Sequence, residues 1–380
     1  MKKMKKFLSL ALAGALAVST LSGCGSKAAS DTWKFGGIGP ITGSYAQYGL
    51  GCKNAIQIAV DEINEAGGIN GVKIEYKFED DEVDNEKSVN AYNALKDWGM
   101  NVLIGSTTSG CSIAVSEKTS QDNMFQITPS ASSADAVVKG NVFQVCFTDP
   151  NQGVNAAKFL AQKYADEKFV LFYNSGDAYS SGIADAFKAQ AAESKLEIVD
   201  EETFKDDSST SFTNQLTKAK QAGATMIFAP IYYTPASVLL KNAKDMGYDV
   251  KMMGCDGMDG ILGVEGFDTS LAEGLLLMTP FSADDEKNAD FVKAYKEEYD
   301  ETPNQFAADA YDCVHAIAEA IDKAGIDTTA DGADIAADLA KAMRKIKIDG
   351  LTGELTWNDE GQVEKPATAY VIQDGKYIAA

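Results

Sequence analysis

Two clusters of small hydroxyl side chains stand where recognition chemistry could be done: Ser106, Thr107, Thr108 and Ser109, then Ser130, Ser132 and Ser133. Each follows a short apolar run, Val102-Leu103-Ile104 in the first case and Met124-Phe125-Gln126-Ile127 in the second. Runs of this kind, separated by a helix-length polar segment, predict neighbouring parallel strands. In an open parallel sheet, ligands bind beyond the carboxyl ends of the strands. The first cluster also precedes a predicted helix, whose free backbone N–H groups attract an anion such as a carboxylate. The two loops together suit the polar head of a small ligand.

The complementary groups come from the second half of the chain. Loops there supply Tyr179, Tyr232, Tyr233 and Asp256, while Tyr48 and Phe306 add aromatic walls. A carboxylate set opposite hydroxyls and helix N-termini suits a zwitterion, with the anion on the donors and the ammonium on Asp256. Asp before Gly, as in Cys255-Asp256-Gly257, is also a common turn residue. What singles Asp256 out is its joint placement with the others at strand ends.

Bond-making chemistry has little support. His315 is the only histidine and lies in a helical pattern beside Val314 and Ile317, which marks it as a packing or surface residue. No G-x-S-x-G elbow, phosphate-binding G-x-x-x-x-G-K loop or H-E-x-x-H pair occurs. Gly36-Gly37-Ile38-Gly39 lacks the full dinucleotide fingerprint and its spaced acid. The acidic run from Glu79 to Glu86 lacks EF-hand spacing and reads as a solvated loop and helix start. No catalytic residue, metal ion or cofactor is expected, and the chain does not read as an enzyme.

The elements that must position these groups alternate strand and helix. A first strand spans Thr32 to Ile38, and a helix follows from about Tyr48 to Ala66, with Cys52, Ala55, Ile56, Ala59, Val60 and Ile63 at the helical period. The pattern begins again after Pro150, with strands at Phe169–Tyr173, Leu196–Phe204, Met226–Ala229, Met252–Gly254 and Leu275–Met278. Three helices then break the rhythm, followed by strands at Glu354–Trp357 and Ala369–Ile372. The class is α/β: two doubly wound parallel-sheet lobes joined by a multi-strand hinge. Crossings between lobes are expected near Thr148–Pro150, Met278–Phe281 and Ile348–Leu351, where a few loop residues can absorb a closing rotation.

Charge and cysteine usage bound the setting. The formal net charge of −22 argues against nucleic-acid binding. Lys2, Lys3, Lys5 and Lys6 precede the apolar run Phe7 to Val18, as in a secretory signal peptide. The run ends in Leu21-Ser22-Gly23-Cys24, which looks like a bacterial lipobox with Cys24 as the lipidated residue. The five later cysteines, Cys52, Cys111, Cys146, Cys255 and Cys313, show no C-x-x-C and read as buried small hydrophobes, although one disulfide stays open.

At this point the residues match a family. GPITGSYAQYG, AVDEINEAGGINGVKI, LIGSTTSG, ITPSASS, GDAYSSG and TWNDEGQ together resemble the branched-chain amino acid binding proteins of bacterial ABC transporters, over essentially the whole mature chain. The resemblance implies the type I periplasmic-binding fold, closing over an amino acid and docking on a membrane permease. It implies that Ser109 and Ser132 bind the α-carboxylate, and that the Ala131 carbonyl, Ser132 and Asp256 hold the α-ammonium. Tyr48, Tyr179, Tyr232 and Phe306 would line the side-chain pocket. Many members have Glu where Asp256 stands and Thr where Ser132 stands. A disulfide found in some members would join the positions of Val83 and Thr108, so that bridge is not expected.

The expected organisation is a lipoprotein signal peptide (1–23), a lipidated tether (24–31), a first lobe of 32–148 plus 281–347 and a second of 149–280 plus 348–380. The expected function is that of a monomeric, lipid-anchored extracytoplasmic protein that captures Leu, Ile or Val for an ABC transporter permease. A ligand-sensing receptor subunit of the same fold, or a binder of another amino acid or a small amide, is the alternative.

Overall fold

The computed structural model of the chain describes residues 32–363, 365 and 368–380. The expected leader and the tether with Cys24 lie outside the described residues. No helix among those residues is long and apolar enough to cross a membrane.

The first lobe is built from β1 (Thr32–Gly39), α1 (Ala46–Glu65), β2 (Lys73–Asp80), α2 (Asn85–Trp98), β3 (Val102–Ile104), α3 (Ser109–Asp122), β4 (Phe125–Thr128) and β5 (Val142–Gln144). Its strands are all parallel, in the order β2-β1-β3-β4-β5. Every residue of β3, β4 and β5 is buried, as expected of parallel strands covered on both faces. The helices start and stop on local signals. The Asp84 carboxylate accepts from the Glu86 and Lys87 amides, both at 2.9 Å, to open α2, and Gly99 closes it at φ 87°, where a side chain would be strained.

The second lobe repeats the plan with α4 (Asp149–Lys163), β6 (Lys168–Asn174), α5 (Ala178–Ser194), β7 (Glu197–Phe204), α6 (Thr213–Gln221), β8 (Met226–Phe228), α7 (Tyr233–Asp245), β9 (Lys251–Gly254) and β10 (Leu276–Thr279). Three helices follow: α8 (Ala289–Tyr299), α9 (Gln305–Ala324) and α10 (Gly332–Met343). The hairpin β11 (Ile348–Gly350) and β12 (Gly353–Leu355) and the closing strands β13 (Thr368–Gln373) and β14 (Lys376–Ala379) complete the chain. The second sheet runs β14-β13-β10-β9-β8-β6-β7, with β13 antiparallel to both its neighbours. In it β6 lies between β7 and β8 as β1 lies between β2 and β3. Each sheet therefore has a topological switch point at the carboxyl end of its first strand.

The helix α9 packs along α1, and α10 on α9, so the three late helices cover the first lobe. One division expected from sequence needs correction here. Residues 348–363 pack with the first lobe, not the second: Trp357 Nε1 donates to the Gln144 carbonyl (2.8 Å), and the Gln144 amide donates to the Gly361 carbonyl (3.0 Å). The Asp312 carboxylate in α9 accepts from the Leu351 and Thr352 amides at 2.9 and 3.0 Å. The chain therefore returns to the second sheet only with β13, after Lys365, which is itself fully buried and paired with Asp309 of α9 at 3.0 Å.

Candidate ligand-binding site

The loops leaving β1, β3 and β4 meet those leaving β6, β8 and β9. The Tyr48 hydroxyl, on α1, donates to the Gly257 carbonyl of the opposite lobe. Thr234 Oγ1 donates to the Ser44 carbonyl at 2.8 Å. Gln305, at the start of α9, donates through its amide to Asp259 (2.7 Å) and through Nε2 to the Asp256 carbonyl (3.3 Å). The lobes are closed on each other, and Ser109, Ala131, Ser132, Asp256, Tyr48, Tyr179, Tyr232 and Phe306 are all buried where they meet.

On the first lobe the hydroxyl loops are fixed by their own hydrogen bonds. Thr128 Oγ1 donates to the Ser106 carbonyl (2.7 Å) and accepts from the Ala131 amide (3.0 Å), while Ser130 Oγ donates to the Thr107 carbonyl (2.6 Å). Ser109 opens α3, and its Oγ accepts from the Ser133 amide at 3.2 Å, which leaves its own proton to donate. Thr108, which precedes the helix, provides no side-chain cap, so the first-turn N–H groups stay available to an anion. Ser132 Oγ is buried beside the Asp149 carboxyl, with no partner of strict hydrogen-bonding geometry among the described residues.

On the second lobe Asp256 follows β9. Its amide donates to Gln152 Oε1 (3.2 Å), and its Oδ1 is buried without a partner among the described residues. Burial pushes its carboxyl up to about 7, against the pull of Tyr179 and Gln152 beside it. Tyr179 OH accepts from the Gly257 amide at 2.9 Å, which fixes the turn that carries Asp256. The aromatic walls are continuous: Tyr48 lies 4.2 Å from Phe306 and 5.7 Å from Tyr232, and Tyr232 stacks on Tyr179 at 5.0 Å, centroid to centroid. Tyr233 packs edge-on to Tyr48 at 4.7 Å.

The structure adds a residue that sequence reasoning passed over. Asp149, the first residue of α4, is buried, and neither carboxylate oxygen has a partner of hydrogen-bonding geometry among the described residues. Its amide donates to the Ser132 carbonyl at 2.9 Å. Burial drives its carboxyl far above the ordinary range; the nearby Ser132 hydroxyl offsets this in part, and the charge of Asp256 adds to it. Thr148-Asp149-Pro150 reads in sequence as a crossing point and helix start, and nothing in the pattern marks the acid as buried. Gln152, one turn on, has its Nε2 buried beside Asp256, short of strict hydrogen-bonding geometry.

Other candidates stand apart. The five cysteines among the described residues are free and buried, which closes the question of a disulfide between them. His315 sits on α9 with its Nε2 3.9 Å from Glu62 and its ring against Tyr311, away from the site.

Residues 32–376 match the model of a family described as periplasmic binding protein. Among curated relatives, the Leu/Ile/Val-binding protein homolog 3 of Brucella melitensis is 29% identical over 98% of this chain and 99% of its own. The leucine-, isoleucine-, valine-, threonine- and alanine-binding protein of Pseudomonas aeruginosa is 28% identical over 88% of both. Among solved structures, the branched-chain amino acid transporter substrate binding protein of Streptococcus pneumoniae, in complex with isoleucine, superposes with a TM-score of 0.83 at 29% identity, covering 92% of this chain and 98% of its own.

Proposed function

Since the chain belongs to the periplasmic binding protein family, a family of extracytoplasmic solute-binding proteins, we propose that it captures an amino acid between its lobes and delivers it to an ABC transporter permease. The observation that carries the ligand reading is a cluster of buried polar groups where the lobes meet, Ser132 beside Asp149 and, from the opposite lobe, Asp256, whose Oδ1 has no partner of hydrogen-bonding geometry among the described residues. A zwitterion supplies the missing partners. Its carboxylate meets the Ser109 and Ser132 hydroxyls and the N-terminus of α3, and its ammonium meets Asp256, the Ala131 carbonyl and Ser132. Tyr48, Tyr179, Tyr232 and Phe306 enclose the side chain. The relatives' names point to Leu, Ile and Val as the first class to test.

The test is thermal unfolding of the chain, freed of bound ligand, against the twenty amino acids and a panel of small amides. A ligand that binds only the native state raises the melting temperature by mass action. Shifts with amino acids but not with their N-acetyl or ester derivatives support the head-group site. A shift with an amide and with no amino acid would reject it.

We further propose that the mature protein is anchored through acylated Cys24, on the strength of the basic start, the apolar run and the Leu21–Cys24 lipobox. A Cys24→Ala variant recovered in the membrane fraction at the level of the parent would reject the anchor.

A further inference from the structure

Asp149 has no task in the head-group site described so far, yet it is buried among the groups that form it. It opens α4 where the chain passes from the first lobe to the second, and its amide donates to the Ser132 carbonyl at 2.9 Å. That bond ties it to the hydroxyl loop after β4, and the Ser132 hydroxyl lies beside its carboxyl. The carboxyl rests against the backbone of α5. A Cβ at Gly182 would stand 2.9 Å from Asp149 Oδ2, so it is the absence of a side chain there that leaves room for the acid.

What the Asp149 carboxyl lacks is a cation. The charges that act on it most are those of Asp256 after β9, Asp177 before α5 and Asp135 after β4, and all three are acids. Asp177 is engaged in capping α5, where it accepts from the Ser180 amide at 2.9 Å, and Asp135 is exposed to solvent. Asp256 is the one that shares its burial. The thiols of Cys146 and Cys255 also feel the charge of Asp149 and are held protonated by burial, as is the Tyr179 hydroxyl beside Asp256. Asp309, the next acid to act on Asp256, has its own cation in Lys365 at 3.0 Å. Among the described residues no Lys or Arg pairs with Asp149 or Asp256, and no three acidic, His or Cys side chains converge as a metal ion would need. A buried acid is held by a cation or keeps its proton. Two that face each other without one make a place for an organic cation brought in from outside.

We propose that Asp149 is a second carboxylate for the ligand's ammonium, so that the Asp149–Asp256 pair takes up either a proton or a primary ammonium. This rests on the head-group reading above and adds to it a contact from α4. A positive charge beside a carboxyl favours its ionised form, so an ammonium entering the pair drives a proton out. In the empty site burial raises both carboxyls, that of Asp256 to about 7 and that of Asp149 well above the ordinary range. Proton and ammonium therefore compete, and affinity for an amino acid rises with pH through roughly pH 6 to 8 as the pair loses its protons. Asp177 and Asp309, both raised to about 6, titrate at the lower edge of that window, so the quantity to read is the difference between parent and variant.

The experiment is calorimetric titration at pH 7 in two buffers of different ionisation enthalpy, which gives both the affinity and the number of protons released. The probe is leucine, or in its place whichever of the twenty amino acids raises the melting temperature most. Asp149→Asn keeps the shape of the side chain and removes a buried acid that has no cation beside it, so the fold is expected to hold. It should weaken binding about tenfold or more, the loss of one charge-assisted partner, and release fewer protons than the parent. Binding within threefold of the parent would take Asp149 out of the site. Weaker binding with an unchanged proton count would make it a structural residue. Either result overturns the proposal and leaves the head-group reading standing. Silence of the parent to every amino acid would overturn both.

Discussion

Replacing Asp256 by asparagine should move stability and binding in opposite directions. The Asp256 carboxyl is fully buried and pushed by that burial from the ordinary ~3.9 to about 7. At ~1.4 kcal/mol per tenfold, the ionised form in the folded state is disfavoured by up to about 4 kcal/mol above pH 7. The sign follows from which state holds the proton. The unfolded chain ionises near pH 4 while the native state still binds the proton, so this residue's share of stability declines from about pH 4 to about pH 7 and is level beyond. Asparagine cannot ionise. Its unpaired amide offsets ~1–3 kcal/mol of the gain, which leaves the ligand-free variant more stable than the parent by ~1–3 kcal/mol at pH 8. The same change removes the partner of the ligand's ammonium and should cost ~2–5 kcal/mol of binding, a factor of ~30 to several thousand in Kd. Denaturant unfolding of both ligand-free proteins from pH 4 to pH 8 measures the first effect, and calorimetric titration at pH 8 the second. The quantity to read is the difference between the two stability curves, because Asp81, Asp177, Asp259 and Asp309 are also held near 6 by burial and titrate in the same window. A variant that binds ligand within threefold of the parent would remove Asp256 from the site. A difference curve flat across the window would refute the burial argument.

Two more perturbations test the frame around the site. Lys365 is a buried cation paired with Asp309 and Thr352, so Lys365→Met should destabilise the protein by ~3–5 kcal/mol, and adding Asp309→Leu should restore most of the loss, both read by denaturant midpoint. The thiols of Cys52 and Cys111 are pushed up to about 12 and those of Cys146, Cys255 and Cys313 well above the ordinary value, all by burial; none should react with a disulfide reagent at pH 8 in the native state, and rapid labelling of any one of them would contradict that burial.

The βα alternation and the placing of the candidate hydroxyl loops at strand ends were legible in the sequence because both depend on local signals. Short apolar runs marked β3, β4 and β8, and hydroxyl clusters just after β3 and β4 fell at strand ends, where ligand loops must lie. The misses are instructive for the same reason. The lobe that residues 348–363 join is not written in their own pattern, because β11 and β12 pair with each other and it is Trp357 and the Asp312 carboxylate that hold them against the first lobe. Asp149 was invisible because burial of an acid is a property of the packed lobes. Its neighbours in sequence, Thr148 and Pro150, are what any helix start shows.

The closed arrangement carries its own account of how a ligand would drive it. The contacts between lobes join hydrogen bonds, Tyr48 to Gly257 and to the Tyr233 amide, Thr234 to Ser44, and Gln305 to Asp256 and Asp259, to the packing of the Tyr45 and Tyr48 rings on Tyr232 and Tyr233. Against them, the closed state holds Ser132 Oγ, Asp256 Oδ1, both oxygens of Asp149 and Gln152 Nε2 buried without partners of strict hydrogen-bonding geometry among the described residues. Each such group costs ~1–3 kcal/mol when buried unpaired, and more if charged. Leaving such groups imperfectly paired weakens the empty closed cleft relative to an open one in which they are hydrated. A zwitterion reverses the balance, because it pairs groups from both lobes at once and can do so only when they are together. The acids that make the empty cleft unstable are the ones that make its closure conditional on a cation-bearing ligand.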